Sequence, residues 1–159
     1  MDAMEMKAPT SDHIHTLHRS PLIMAPIIHA FYSELKQSPK NILFSYLVLP
    51  FVLHEPTSAY LYRLSTRSNW RTMISNKARI SGVHKRIQTL REITNVTVMS
   101  LVSAGYLEID EDLIVKPTAK KFPQLQGVER KVVSARKLAG VLEEREPQHI
   151  YKSLGIAQL

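Results

Sequence analysis

Residues 41–54 read NILFSYLVLPFVLH, and between Ile42 and Leu53 only Ser45 and Pro50 are not large apolar or aromatic residues. A run without a polar face is buried on all sides rather than amphipathic. About a dozen residues is too few for a bilayer, which takes about 20. The run is therefore expected to be the central core element of a soluble fold. A continuous apolar run fits helix and strand alike, and Pro50 arbitrates. Proline cannot donate to a sheet ladder. Inside a helix it frees the carbonyl of Tyr46 and bends the axis. The expectation is a kinked, buried helix with Leu47, Leu49, Pro50, Val52 and Leu53 in the core or against a docking partner.

Upstream, Ser20–Pro21 reads as an N-cap followed by proline at the first helical position. Leu22, Ile23, Pro26, Ile27, Ala30, Phe31 and Leu35 recur at helical spacing, giving an amphipathic helix to about Gln37, broken by Ser38–Pro39. Residues 1–18 show no sustained period and are expected to form a flexible tail before one domain over 19–159. His13, His15 and His18 sit close together there. No carboxylate or thiolate framework accompanies them beyond Asp12, so they read as a polar tail rather than a metal site.

Downstream the composition changes. From Pro56 to Arg91 there is no Asp or Glu, and eight basic residues fall in the window: Arg63, Arg67, Arg71, Lys77, Arg79, Lys85, Arg86 and Arg91. The window's +8 exceeds the whole chain's +7, so the charge is concentrated. An anionic partner follows, either duplex DNA or an acidic protein face. The first seven of these residues are the candidate contacts. Two short helices are expected near 58–64 and 69–74, with Trp70 as a packing anchor. A long helix over about 80–104 carries Ile80, Val83, Ile87, Leu90, Thr94, Thr97, Val98 and Leu101 on one face and stops at Gly105. Residues 106–116 then read as a hairpin around Asp110–Asp112. The fold class is mainly α with one short β-hairpin, a winged-helix-like helical domain. The acidic turn suits a wing on DNA poorly, because phosphate contacts use Lys and Arg.

Residues 128–144 return to helix, with Val132, Val133, Ala135, Leu138, Ala139, Val141 and Leu142 on the apolar face. Pro147 opens a last short helix bearing Ile150, Tyr151 and Leu154, closed by Gly155. This last face has a core or partner docking role. Two pieces of the chain carry a resemblance: LVLPFVLH at 47–54 and HIYKSLGI at 149–156, in this order and about 100 residues apart. Together they resemble the middle component of bacterial three-component ABC systems, best known from Lamassu-type anti-phage and anti-plasmid operons. The resemblance covers roughly residues 20–156. It implies a subunit that binds an SMC-like ABC ATPase and an effector protein, expected to be a nuclease, and that passes on a DNA-sensing signal.

No motif carries catalysis. There is no GxxxxGK[ST], HExxH or GxSxG, and no cysteine for a nucleophile, thiolate site or disulfide. Asp110–Asp112 reads as a solvated turn, and His54 as a histidine that satisfies a polar group at the end of the buried run. The expectation is a cytoplasmic protein with no enzyme activity, no cofactor and no membrane association, meeting DNA through a complex. Two other readings compete with the adaptor. One is a free-standing winged-helix DNA-binding transcription regulator; the other is a structural subunit whose basic window is a solvated face.

Overall fold

The computed structural model describes residues 20–65, 67–143 and 145–158. The expected tail and its histidines lie outside the described residues. Helix α1 (Pro21–Glu34) leads to a 3-10 turn (Asn41–Phe44) and α2 (Ser45–Val52). Three short helices follow: α3 (Glu55–Tyr62), α4 (Trp70–Ser75) and α5 (Lys77–Ile80). The long α6 (Val83–Ser103) precedes an antiparallel hairpin, β1 (Leu107–Ile109) and β2 (Val115–Pro117). Helices α7 (Glu129–Leu142) and α8 (Pro147–Ser153) close the chain. The mainly helical fold with one hairpin is as expected.

Helix α1 is the hub. It packs against α7, α6, α2 and β2. Its burial departs from the expected stripe: Leu22 is 76% exposed, whereas Met24, Ile28 and Tyr32 are buried beside Ile27 and Phe31. A helix with neighbours on several sides needs no polar face over its middle turns. In α2 every residue except Tyr46 is buried, and Leu53 just beyond it is half-buried. The run is thus helical and central, as expected, but the abrupt turn comes later than Pro50. The segments 41–52 and 55–62 meet at 101°, with His54 extended between them (ψ 113°). Pro56 sits in the first turn of α3, where its missing N–H is not needed. This is why α3 begins at Glu55 rather than near Ser58.

One polar residue ties the hairpin to this core. The pairs Tyr106–Thr118 and Asp110–Ile114 flanking the strands are hydrogen-bonded. By the alternation of an antiparallel ladder, Ile109 and Val115 form a non-bonded pair, so the backbone groups of Val115 point away from β1. Asn41, fully buried, receives the Val115 N–H on Oδ1 at 2.6 Å and donates Nδ2–H to its carbonyl at 3.0 Å. The tip is held too: Lys40 N–H donates to Asp112 O (3.0 Å) and Ile42 N–H to Leu113 O (3.3 Å). Lys40 (φ 59°) and Leu113 (φ 58°) both adopt left-handed backbone at this junction.

The last helix docks on its own chain. Ile150 and Tyr151 are buried and Leu154 is half-buried. Tyr151 OH donates to Leu43 O at 2.6 Å, and Trp70 Nε1–H to Ser153 Oγ at 2.8 Å. Trp70 also meets Phe51 edge to face, 5.7 Å between centroids, and so bears out its role as an anchor.

Candidate basic interface

Helix α5 packs on both α3 and α4, so the cations at the end of α3, on α4 and on α5 belong to one corner of the molecule. Asn69 caps α4, accepting the Thr72 N–H at 3.0 Å, and Asn76 caps α5, accepting the Ala78 N–H at 3.0 Å. Thr57 joins α3 to α5 by donating to Arg79 O at 2.7 Å, and it pairs with His54 Nδ1 at 2.9 Å. These short helices form because Asn caps and long-range contacts fix them; alone they are too short to persist.

The structure divides the seven candidate cations into two groups. Arg63, Arg67, Arg71, Lys77 and Lys85 are exposed, and their side chains have no hydrogen-bond or ion-pair partner among the described residues. Arg91 shares this state. Arg79 and Arg86 are half-buried and engaged with their own chain. Arg79 Nη1–H donates to Thr72 O (3.1 Å), which also accepts the Ser75 hydroxyl, and to Met73 O (3.3 Å), both near the end of α4, and its guanidinium lies 3.7 Å from the Tyr60 ring centroid. Arg86 Nε–H donates to Pro50 O at 3.0 Å, near the end of α2, and Nη1–H donates to Ser81 O. Burial lowers the Arg86 pKa from its ordinary value.

Elsewhere on the molecule cations do find carboxylates: Lys116–Glu108 and Lys131–Glu55 at 3.4 Å, and Arg136–Glu34 at 3.3 Å. Within the window no such pair forms among the described residues, as expected of a stretch without Asp or Glu. The docking candidates Leu47, Leu49, Pro50 and Val52 are buried, and with Ile150 and Tyr151 they belong to the chain's own interior.

Sequence reasoning missed Tyr60, Asn76 and Arg130. Tyr60 is packed under Arg79, and Arg130 on α7 stacks over Tyr62 at 4.7 Å, bringing a cation beside α3 from outside the window. No local spacing signals the first, because Arg79 lies 19 positions beyond Tyr60. The acidic turn is organised by Asp110, whose Oδ1 accepts the N–H groups of Asp112 and Ile114, both at 3.0 Å. With its tip bonded to residues 40 and 42, the hairpin lies against the body of the domain.

A search of curated proteins and one of solved structures found no match to the chain. A family model does match, over residues 9–158, and it bears out the relationship expected from the two sequence pieces: the chain belongs to the Middle Component 3 family of ABC-three component (ABC-3C) systems.

Proposed function

We propose that this chain is a non-catalytic, cytoplasmic adaptor of an anti-phage and anti-plasmid defence complex of Lamassu type. It bridges an SMC-like ABC ATPase and an effector, a nuclease, and couples DNA sensing to activation of that effector. Membership in a three-component system implies partner components. The observation that carries the reading is the basic corner: Arg63, Arg67, Arg71 and Lys77, exposed and unneutralised among the described residues, on a body whose apolar elements dock internally. Such a surface suits duplex phosphates, which position without reading sequence, or an acidic protein face, where it steers and sets register. Arg79 braces this surface by holding the end of α4 and stacking on Tyr60 of α3.

In this reading α6, Gly105 and the hairpin form a winged-helix-like unit whose wing serves the fold. Its acidic tip, bonded to the 40–42 backbone, counts against a free-standing regulator that grips DNA with the wing. The test is co-expression with the ATPase and effector and purification through a tag on this chain. Recovery of both supports the adaptor. Recovery of the chain alone, with both other components soluble in the same lysate, overturns it.

A further inference from the structure

Residues 118–128 join β2 to α7 without regular structure, and both ends of this connection are held. The Thr118 hydroxyl donates to Gly105 O at 2.6 Å and Lys120 Nζ to Ala104 O at 2.8 Å, while at the far end Gly127 N–H donates to the Glu129 carboxylate at 2.9 Å. Between them, residues 121–126 make no hydrogen bond or ion pair with any other described residue. Phe122 alone among these six is not exposed. Its ring stacks on His29 of α1, 5.0 Å between centroids, and meets Tyr106 at an angle, 4.8 Å away. One aromatic contact therefore holds the middle of the segment, which borders a cleft of about 920 Å3 together with α1 and α7.

The other half of that contact can change charge. The Ser33 hydroxyl donates to His29 O at 2.8 Å, so its oxygen turns a lone pair toward His29 Nδ1, 3.4 Å away. Nδ1 then carries the proton of the neutral ring, and Nε2 takes the second one. Nε2 is buried and has no hydrogen-bond partner. A bare ring nitrogen tolerates that site, whereas an N–H there is a buried donor without an acceptor. We infer that residues 121–126 form a strap beside the α1–α7 cleft, latched through Phe122 while His29 is neutral and released when His29 takes up a proton. The ionisable groups on the elements around His29 favour the neutral ring. Helix α7 brings Arg136 and Glu129, the connection Lys120 and Lys121, β2 Lys116, and the end of α6 and α2 only Tyr106 and Tyr46. Glu34 of α1 is engaged with Arg136 at 3.3 Å, Glu129 with Gly127, and Lys116 with Glu108. Burial, and after it Arg136, acts against the charged ring. The attraction of a cation to the Phe122 face is weaker than the cost of the stranded donor.

The chain has no cysteine, so Gln124→Cys provides a single site for a nitroxide label on the exposed part of the strap in the full chain. Its spin-resonance spectrum is followed from about pH 8 to about pH 5, the range in which histidines titrate. The mobile component should grow as pH falls, in one transition with its midpoint below the ordinary histidine value of 6.5. Fluorescence of Trp70, the only tryptophan, should stay constant through that transition, which separates release from unfolding. Phe122→Ala should be mobile at every pH. His29→Phe keeps an aromatic ring that cannot titrate and should hold the label immobile throughout, and His54→Gln should titrate as the parent does. A folded parent whose label mobility does not change with pH overturns the latch, and so does a folded His29→Phe that releases at the parent's midpoint. If His29→Phe does not fold, nuclear magnetic resonance of the parent decides. The Phe122 ring shifts must follow the His29 Cε1 titration, and ring shifts that ignore it overturn the latch.

Discussion

Replacing Asn41 by Ala tests the junction on which the hairpin rests. The side chain is fully buried and bonds both backbone groups of Val115, itself 1% exposed. Its loss strands one donor and one acceptor in a buried site. Each unsatisfied buried group costs about 1–3 kcal/mol, so the variant should lose about 2–6 kcal/mol. The Tyr32 hydroxyl would still donate to the residue 41 carbonyl, so the 3-10 turn itself should survive. For a domain of this size such a loss lowers the melting temperature on the order of 10 °C. Urea unfolding gives the free energy, and hydrogen exchange gives the location: the Val115 amide should lose protection before the amides of α1 do. Asn41→Asp should also destabilise, because its carboxylate faces the Val115 carbonyl where an amide had donated. A loss under about 1 kcal/mol in Asn41→Ala, with Val115 still protected, would refute the reasoning, since a single ordinary hydrogen bond is worth that much.

The other predictions concern the core, the C-terminus and pH. Leu49→Ala, at a position with no exposure, should cost about 2–5 kcal/mol by urea unfolding, and an unchanged midpoint would contradict the central place of α2. Deleting residues 147–159 removes the buried Ile150, Tyr151 and Ile156 and should cost on the order of 5 kcal/mol with loss of solubility; a deletion as stable as the parent would mean that α8 belongs to a partner. Burial, and after it Arg136, hold His29 below its ordinary value of 6.5, and burial followed by Arg86 does the same for His54. The unfolded chain then binds more protons, so the stability these groups contribute is present above about pH 6.5 and is lost as pH falls through their folded-state values. Melting scans should show a smaller acid-side decline in His29→Gln/His54→Gln than in the parent, and an equal decline would refute it.

The core was legible because its signals are local. An uninterrupted apolar run announces all-round burial, and Gly105, in left-handed backbone at φ 79°, ends α6 where its apolar period stops. The helix starts were less legible. Pro56 reads as a boundary in one dimension, yet it occupies the first turn of α3. Gly82, expected inside the long helix, is its left-handed N-cap. The basic window was legible as a charge total but not as a surface. Arg86 finds its acceptor at Pro50, 36 positions away, and Arg79 caps α4. Counting cations along the chain cannot separate those that hold carbonyls from those left to solvent. Asn41 was the least legible, being one polar residue beside an apolar run whose partner lies 74 positions on.

The central claim is that the exposed part of the basic window meets an anionic partner within the complex. Reversing Arg63, Arg67 and Arg71 to Glu tests it directly, because these side chains make no hydrogen bond or ion pair that the fold needs among the described residues. The measurement is assembly with the ATPase component proposed above, followed by DNA affinity of the assembled complex across a salt series. Normal assembly with a slope shallower by up to about 0.9 for each phosphate no longer neutralised is the result expected if the corner meets DNA. Failure of a folded variant to assemble is the result expected if it meets an acidic protein face. Unchanged assembly together with an unchanged salt slope would contradict the account and leave the basic corner a solvated surface.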